Sequence, residues 1–98
     1  MYIKIHRSYR NVVAIADADL IGKIFEEGKF QLDVIENFYK GKKVSKEEAI
    51  ELLKLQKLDD ATFNIVGPKS IQTAIQAGII KKENIGKIKD IEFALTLL

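Results

Sequence analysis

The side chains of this chain that are best suited to chemistry are basic and aromatic, and they occur in two short clusters. The first is His6-Arg7-Ser8-Tyr9-Arg10, which holds both arginines of the sequence. Guanidinium groups offer paired planar donors that match phosphate oxygens, and an exposed ring can stack on a base. The cluster therefore predicts nucleic-acid contacts by Arg7, Tyr9 and Arg10, although the same side chains also suit a solvated turn.

The second cluster, Phe38-Tyr39-Lys40-Gly41-Lys42-Lys43, interleaves two aromatic residues with three lysines. This mixture suits a loop that holds a phosphate backbone while a ring stacks on a base. We predict contacts to nucleic acid here as well, by Tyr39, Lys40, Lys42 and Lys43. The alternative is that Phe38 joins the core and the lysines only keep a strand edge in solution. Four later lysines would extend the positive surface if the fold brought them alongside: Lys81, Lys82, Lys87 and Lys89.

A third feature is Gly67-Pro68-Lys69-Ser70, at a predicted helix start. Free amides and the positive end of the helix dipole favour an anion at such a position, which predicts an anion site at Gly67, Lys69 and Ser70. The segment does not match the spacing of a nucleotide-binding loop or of a dinucleotide fingerprint. A plain helix cap is the alternative interpretation.

Acid-base and metal chemistry have little support in this sequence. The close carboxylate pairs are Asp17 with Asp19 and Asp33 with Glu36, and Asp17 or Asp19 can instead cap the helix that follows. The chain has one histidine and no cysteine, which leaves mainly oxygen ligands for a metal and no thiol nucleophile. We therefore expect no catalytic residues, no metal and no cofactor; an enzyme would require His6 to converge with Asp17 and Asp19.

Composition limits the classes of protein further. A chain of 98 residues with 47% hydrophobic and 31% charged residues is long enough for one folded domain, and a net charge of +2 means that any surface for nucleic acid must be local. The sequence lacks a long apolar run and an apolar leader, so we expect a soluble cytoplasmic protein without a membrane partner. Abundant lysine and isoleucine suggest a thermophile, or equally the codon bias of an AT-rich genome.

Alternating apolar and polar residues, or short β-branched runs, predict five strands. The second of them should be covered on both faces, because its apolar run is nearly continuous. The third should continue towards Phe38 and Tyr39. These strands are predicted at residues 2–7, 12–16, 30–34, 63–66 and 85–98, the last with Ile91, Phe93, Leu95 and Leu97 on one side.

Apolar residues at intervals of three and four, with matching caps, predict three helices. The first covers residues 18–27 and ends at Gly28. The second follows the capping box Ser45-Lys-Glu-Glu48 and continues to about residue 58. The third begins at Gly67-Pro68 and ends at Gly78, after which Ile79 folds back over its last turn.

Several short motifs of this chain are shared with a known family. Residues 20–40 contain Phe-Glu-Glu-Gly and then Leu-Asp-Val, the opening residues include Lys4-x-His6-Arg7, and Asn64-Ile-Val-Gly67 precedes the third helix. In these motifs the chain resembles the archaeal family known as domain of unknown function 424 (DUF424), over most of its length. The resemblance implies an archaeal cytoplasmic protein without an established activity, and we associate such proteins with the company of translation genes.

We therefore expect one α+β domain over residues 1–98, in two layers, with a mixed or antiparallel sheet of four to five strands and about three helices packed on it. The expected function is that of a non-enzymatic accessory of the translation machinery that binds RNA or a ribosomal particle. The first alternative is a protein-interaction module whose partner the sequence does not identify. The second is a small enzyme that uses Asp17, Asp19 and His6.

Overall fold

A computed structural model describes residues 1–96 of the chain. The strands are β1 Tyr2–His6, β2 Val12–Ala16, β3 Ile24–Glu27, β4 Phe30–Asp33, β5 Lys42–Lys43, β6 Thr62–Val66, β7 Gly86–Ile88 and β8 Ile91–Thr96. The helices are α1 Glu36–Tyr39, α2 Lys46–Leu58 and α3 Pro68–Gln76, with short 3-10 turns at Ala18–Leu20 and Lys82–Asn84. Within these residues no helix is long and apolar enough to cross a bilayer.

The main sheet has six strands in the order β5-β1-β2-β6-β8-β7. Its two central strands, β2 and β6, run parallel, and the other neighbours are antiparallel. Strands β3 and β4 form a separate antiparallel hairpin. The predicted α+β class with a mixed sheet is confirmed, although the described residues form more strands than the four to five expected.

The side chains of β2 alternate between two apolar clusters on opposite faces of the sheet. Val13 and Ile15 point to the face that α2 and α3 cover, where they meet Leu53 and Ile71. On the other face, Ala14 and Ala16 lie under the hairpin β3–β4, α1 and the link between them, which contribute Leu32, Tyr39 and Val34 to the second cluster. Strand β2 is therefore buried on both sides and central, as its continuous apolar run predicts.

Two of the predicted helices are confirmed, because local signals fix their ends. The Ser45 hydroxyl accepts the Glu48 amide at 3.2 Å and Glu48 accepts the Ser45 amide, which completes the capping box of α2. Helix α3 begins with Pro68 and ends before Gly78, whose φ of +75° suits glycine. The Ile79 amide then donates to the Ala74 carbonyl, so the chain folds back as predicted.

The predicted helix at residues 18–27 is wrong. A single 3-10 turn ends at Leu20, Gly22 takes a φ of +83°, and its amide donates to the Val34 carbonyl instead of to a helical partner. Residues 24–27 then form β3. Gly28, predicted as a helix stop, is the first residue of the two-residue loop that joins β3 to β4, with a φ of +61°. Pairing with the following segment therefore prevails over the helical spacing of the apolar residues.

Two further predictions need correction at strand ends. The strand from residue 30 ends at Asp33 and does not continue to Phe38 and Tyr39, which belong to the helical turn α1. The predicted tail strand is a hairpin, in which Ile88 pairs with Ile91 across a tight turn. In that hairpin Ile91, Phe93 and Leu95 alternate onto one side of β8 as predicted, although Leu95 is mostly exposed. Leu97 lies outside the described residues.

Candidate nucleic-acid interface

The first basic cluster forms the turn between β1 and β2. Antiparallel pairing of these strands returns the chain, and within the turn the Ser8 hydroxyl donates to the Arg10 carbonyl. The side chains of Arg7, Tyr9 and Arg10 are all exposed, and the ring of Tyr9 is fully accessible. The turn therefore exposes two guanidinium groups and an aromatic ring within four residues, which is a suitable set for phosphate and base contacts.

Gly41 allows the second basic cluster to lie directly against β1. A Cβ atom at this position would collide with the carbonyl oxygen of Ile3, so only glycine permits the approach. The next two residues form the edge strand β5, in which Lys42 lies opposite Ile3 and Lys43 lies opposite Tyr2. Lys42 and Lys43 are therefore held on a strand and not on a loose loop.

The three lysine amines of this cluster differ in their surroundings. Lys42 forms an exposed ion pair with Glu48 at 3.6 Å, which is a weak interaction at a solvated position. Lys40 places its Nζ atom 5.8 Å from the centre of the Tyr2 ring, within the range of a cation–π contact. Lys43 is exposed and has no ion-pair partner among residues 1–96. All three ammonium groups therefore remain accessible to an external anion.

Strand β1 has one of the two clusters at each of its ends, on the β5 side of the main sheet. Lys42 lies opposite Ile3, and Arg7 follows the end of the same strand four residues later, about 13 Å away along it. Between them, His6 stacks on Phe38 with ring centres 4.5 Å apart, and its Nε2 lies 2.8 Å from the Phe38 carbonyl. We call this surface the β1 edge; it consists of Arg7, Tyr9, Arg10, Lys40, Lys42 and Lys43.

Tyr39, also predicted as a contact residue, is buried in the second apolar cluster with 6% of its surface exposed. Loss of solvent around the hydroxyl, with a smaller contribution from the charge of Asp33, raises the pKa of Tyr39 to about 12. Its ring meets Phe38 edge-on, with centres 5.0 Å apart. In this position Tyr39 holds α1 on the sheet, and it does not offer a face on which a base could stack.

The predicted anion position at the start of α3 is filled by a carboxylate of the chain itself. Asp17 is buried, and its two oxygens accept the Ser70 amide at 2.7 Å, the Ser70 hydroxyl at 2.7 Å and the Lys69 amide at 3.1 Å. Gly67 has a φ of +105°, and a Cβ atom there would overlap the Asp17 carboxyl group. The free donors that suggested an external anion are therefore used internally.

The four later lysines do not extend the β1 edge. They belong to the 3-10 turn at Lys82–Asn84 and to the β7–β8 hairpin, or lie beside them. Strand β7 is at the opposite end of the six-stranded order from β5. Because four strands separate the two, Lys81, Lys82, Lys87 and Lys89 form a separate surface, and they can serve as controls for the β1 edge.

The acidic and histidine side chains that an enzyme would require do not converge. Strand pairing places His6 opposite Val12, whereas Asp17 follows the other end of β2, about 16 Å away along the strand. Asp17 is engaged by α3, and Asp19 is exposed. Among the residues that the structure describes, no group of three or more His, Asp or Glu side chains is placed to hold a metal ion.

The contact between His6 and Phe38, beside the β1 edge, is not among the predictions from the sequence. The alternation of β1 carried a signal, because Ile3 and Ile5 occupy one face and Tyr2, Lys4 and His6 the other. That second face is partly covered by α1, where Lys4 donates to a carbonyl and His6 stacks on Phe38. These contacts depend on α1, the helical turn after β4 that the sequence does not predict. The pattern of β1 alone is therefore not enough to predict what covers this face.

Comparison with known proteins identifies the family. The family model described as "Protein of unknown function (DUF424)" matches residues 6–97, nearly the whole chain. The chain belongs to the DUF424 family. A search among curated proteins finds no match.

A solved structure supports the fold of this DUF424 protein. It is described as "Crystal structure of an uncharacterized conserved protein from Methanopyrus kandleri" and is similar with a TM-score of 0.87 and 21% sequence identity. The match covers 97% of this chain and 88% of the other. At 21% identity this similarity shows a shared fold. The DUF424 chain therefore has the same architecture as a solved archaeal protein.

Proposed function

We propose that this protein is a non-enzymatic, cytoplasmic accessory of the archaeal translation machinery that binds RNA or a ribosomal particle through the β1 edge. The observation that carries the proposal is the placement of two basic segments at the two ends of one strand, about 13 Å apart along it, although about thirty residues separate them in the sequence. The exposed Tyr9 lies between Arg7 and Arg10 in the sequence, in the turn at one end of this surface. RNA as the partner follows the expectation from the sequence, in which we associate proteins of this family with the company of translation genes.

The charge distribution supports a local site for single-stranded RNA. Net charge is only +2, yet the β1 edge combines five basic side chains, of which Lys42 has an acidic partner. If four phosphates are neutralised, the logarithm of affinity should fall with the logarithm of salt at a slope of about −3. Affinity should then decrease by roughly fiftyfold between 50 and 200 mM salt.

The proposal can be tested by fluorescence anisotropy with a labelled 15-nucleotide single-stranded RNA of mixed sequence. Replacing Lys40 and Lys43 together by Gln should weaken binding by about tenfold, and Arg7→Gln with Arg10→Gln should do at least the same. A matched double change on the opposite edge, Lys81→Gln with Lys82→Gln, should change the dissociation constant by less than about twofold. Equal losses from both pairs would show nonspecific attraction and would refute the β1 edge as the binding surface.

Stacking on Tyr9 can be separated from charge. Tyr9→Ala leaves every charge in place, and it should weaken binding by roughly tenfold while the salt slope stays the same. Tyr9→Phe, which keeps a ring, should bind like the wild type. If Tyr9→Ala binds normally, the proposed role of the ring is wrong even where the lysine variants behave as expected.

A partner in the ribosome can be sought in lysate of the native organism. The protein should sediment with ribosomal particles at moderate salt, and ribonuclease treatment should release it. The Lys40→Gln/Lys43→Gln variant should sediment less than the Lys81→Gln/Lys82→Gln control. Sedimentation that withstands ribonuclease would favour a protein partner instead.

A second candidate function is a protein-interaction module, because α2 exposes two large apolar side chains. Leu55 and Leu58 are 60% and 82% exposed near the end of this helix. Apolar helix faces of this kind dock into grooves of partner proteins. If this function is correct, one protein partner should be recovered from lysate both with and without ribonuclease. The partner should be lost with the Leu55→Lys/Leu58→Lys variant and kept with the Lys40→Gln/Lys43→Gln variant. That result would favour this function over RNA binding.

A further inference from the structure

Asn64 occupies the middle of β6, a central strand of the main sheet, without a structural partner. It begins the segment Asn64-Ile-Val-Gly67, whose other members all serve the fold. Ile65 and Val66 are buried in the two apolar clusters, and Gly67 makes room for the Asp17 carboxyl group. Asparagine is disfavoured in strands, which prefer β-branched and aromatic side chains. The fold alone therefore gives no reason for an amide at this position.

The neighbours of Asn64 follow from the register of the sheet. Asn64 lies opposite Ala14 of β2 on one side and opposite Leu95 of β8 on the other. Because side chains alternate along a strand, these residues point to the face that the β3–β4 hairpin and α1 cover in part. Val12, two residues before Ala14, points to the same face.

The cover over this face ends beside Asn64. Val66 and Phe93, which pair two residues further along, take part in the second apolar cluster. Val12 and Leu95 take part in neither cluster of residues 1–96, and Leu95 has 54% of its surface exposed. We call Val12, Asn64 and Leu95 the sheet-face patch. It is uncharged and combines one amide with two apolar side chains.

The amide of Asn64 is available to an external partner. It forms no side-chain hydrogen bond within residues 1–96, and no polar side-chain atom of these residues is both buried and unpaired. The amide therefore faces solvent with a donor group and an acceptor, beside the exposed Leu95. A flat ligand with apolar faces, and with a donor next to an acceptor on its edge, suits both side chains. An unpaired nucleobase is such a ligand.

The sheet-face patch is close to the turn that carries both arginines. Ala14, the partner of Asn64, follows Arg10 by four residues, which is at most about 14 Å of extended chain. Phosphates suit the guanidinium groups of the turn, whereas bases suit the uncharged patch. A single strand of RNA that reaches from the turn onto the sheet can therefore use both surfaces.

We propose that the sheet-face patch receives an unpaired adenine, with the Asn64 amide hydrogen-bonded to the edge of the base and Leu95 in contact with its ring. The amino group of adenine has a ring-nitrogen acceptor on each side, so either edge can pair with the amide. Uracil and cytosine offer a donor beside an acceptor on one edge only, and the N7 and O6 atoms of guanine are both acceptors. This inference rests on the proposed RNA-binding function and adds base specificity to it.

Fluorescence anisotropy can test this specificity with labelled nine-nucleotide RNAs made of adenosine, cytidine or uridine alone. The wild type should bind the adenosine RNA at least about fivefold more tightly than either other RNA, since a bidentate contact discriminates by this much or more. Asn64→Val removes the amide and should reduce the preference to less than about twofold. Stacking within the RNA is the same for both proteins, so the change in preference reports the amide. Because valine suits a strand, the variant should melt no lower than the wild type.

Two further variants separate this inference from the function on which it rests. Gln76→Ala removes an exposed amide from α3, on the opposite face of the sheet, and should keep the preference. Arg7→Gln with Arg10→Gln should weaken all three RNAs and keep their order. Binding without preference, or an unchanged preference in Asn64→Val, would refute the adenine site and leave RNA binding intact. Absence of binding to every RNA would refute the proposed function itself, and the adenine site with it.

Discussion

The buried carboxylate of Asp17 should be among the most sensitive positions of this protein to a small chemical change. Asp17→Asn preserves the shape of the side chain and replaces one oxygen by an NH₂ group. In the structure the oxygen Oδ2 accepts the Lys69 amide, and Oδ1 accepts both the amide and the hydroxyl of Ser70. If the Asn oxygen keeps the two Ser70 bonds, its NH₂ group must face the Lys69 amide, so that two donors oppose each other.

The size of the effect follows from these bonds. Losing the charge-assisted bond to the Lys69 amide costs about 1.5 to 3 kcal/mol, and the two remaining bonds become roughly half as strong once the acceptor is neutral. Relief from burying a charge offsets part of this cost. We expect Asp17→Asn to lower the free energy of unfolding by about 2.5 kcal/mol, and the melting temperature by roughly 10 to 20 °C for a domain of this size.

The assay is guanidinium chloride unfolding followed by circular dichroism, with Asp19→Asn as the matched control. Asp19 is exposed, so its substitution should change the free energy of unfolding by less than about 0.5 kcal/mol. Hydrogen exchange should also show faster exchange of the Lys69 and Ser70 amides in Asp17→Asn. If both variants unfold within about 0.5 kcal/mol of each other, Asp17 does not hold the start of α3, and the reasoning fails.

Two pH experiments test other parts of the fold. Burial raises the pKa of Tyr39 to about 12 from 10.0. The stability that the protonated Tyr39 hydroxyl contributes is therefore complete below about pH 10 and is lost as the pH rises towards 12. Urea unfolding should show that Tyr39→Phe removes about 2 kcal/mol of this alkaline loss of stability. The hydrogen bond from the Ser45 amide lowers the pKa of Glu48 from its ordinary value of 4.5. The stability that the ionised Glu48 carboxylate contributes is therefore present above pH 4.5 and is lost as the pH falls below that value. Ser45→Ala should cost about 1 kcal/mol at neutral pH, and Glu48→Gln should flatten the acid dependence; parallel acid curves for wild type and Glu48→Gln would contradict the capping box.

The parts of the fold that the sequence predicts correctly are those with local causes. The capping box at Ser45, the proline at the start of α3 and the glycine at its end each act within a few residues. The alternation of Ile3 and Ile5 likewise defines β1 without help from distant parts of the chain. Such signals are visible in a single sequence because the interacting groups are neighbours in it.

The errors have equally specific causes. Residues 18–27 have helical spacing, but pairing with the following strand and the positive φ of Gly22 decide their structure. The turn between β7 and β8 was missed because Lys89 and Asp90 both adopt positive φ, at 52° and 63°, in place of the Asn-Gly that normally marks such a turn. Asp17 was assigned to a neighbouring helix, whereas its partners are more than fifty positions away.

The candidate site was predictable in its composition but not in its arrangement. Exposed Arg7, Tyr9 and Arg10 at a turn follow directly from the strand pattern. The order of the strands, which places the lysines of β5 on β1 and those around β7 at the far edge, depends on pairings between distant segments. A single sequence also did not reveal that Tyr39 turns inward, because the helical turn that buries it interrupts the predicted strand.

The central parallel pair has a consequence for how the chain reaches its native state. Every residue of β2 pairs with one fifty positions later, such as Val12 with Thr62. During synthesis the opening hairpin can form early, but its inner strand, β2, lacks its second neighbour until β6 has left the ribosome. Closing so long a loop is entropically expensive, so we expect assembly of the sheet centre to limit the folding rate. Until then, the apolar inner edge of the nascent hairpin is a point at which chaperones or other unfinished chains can attach.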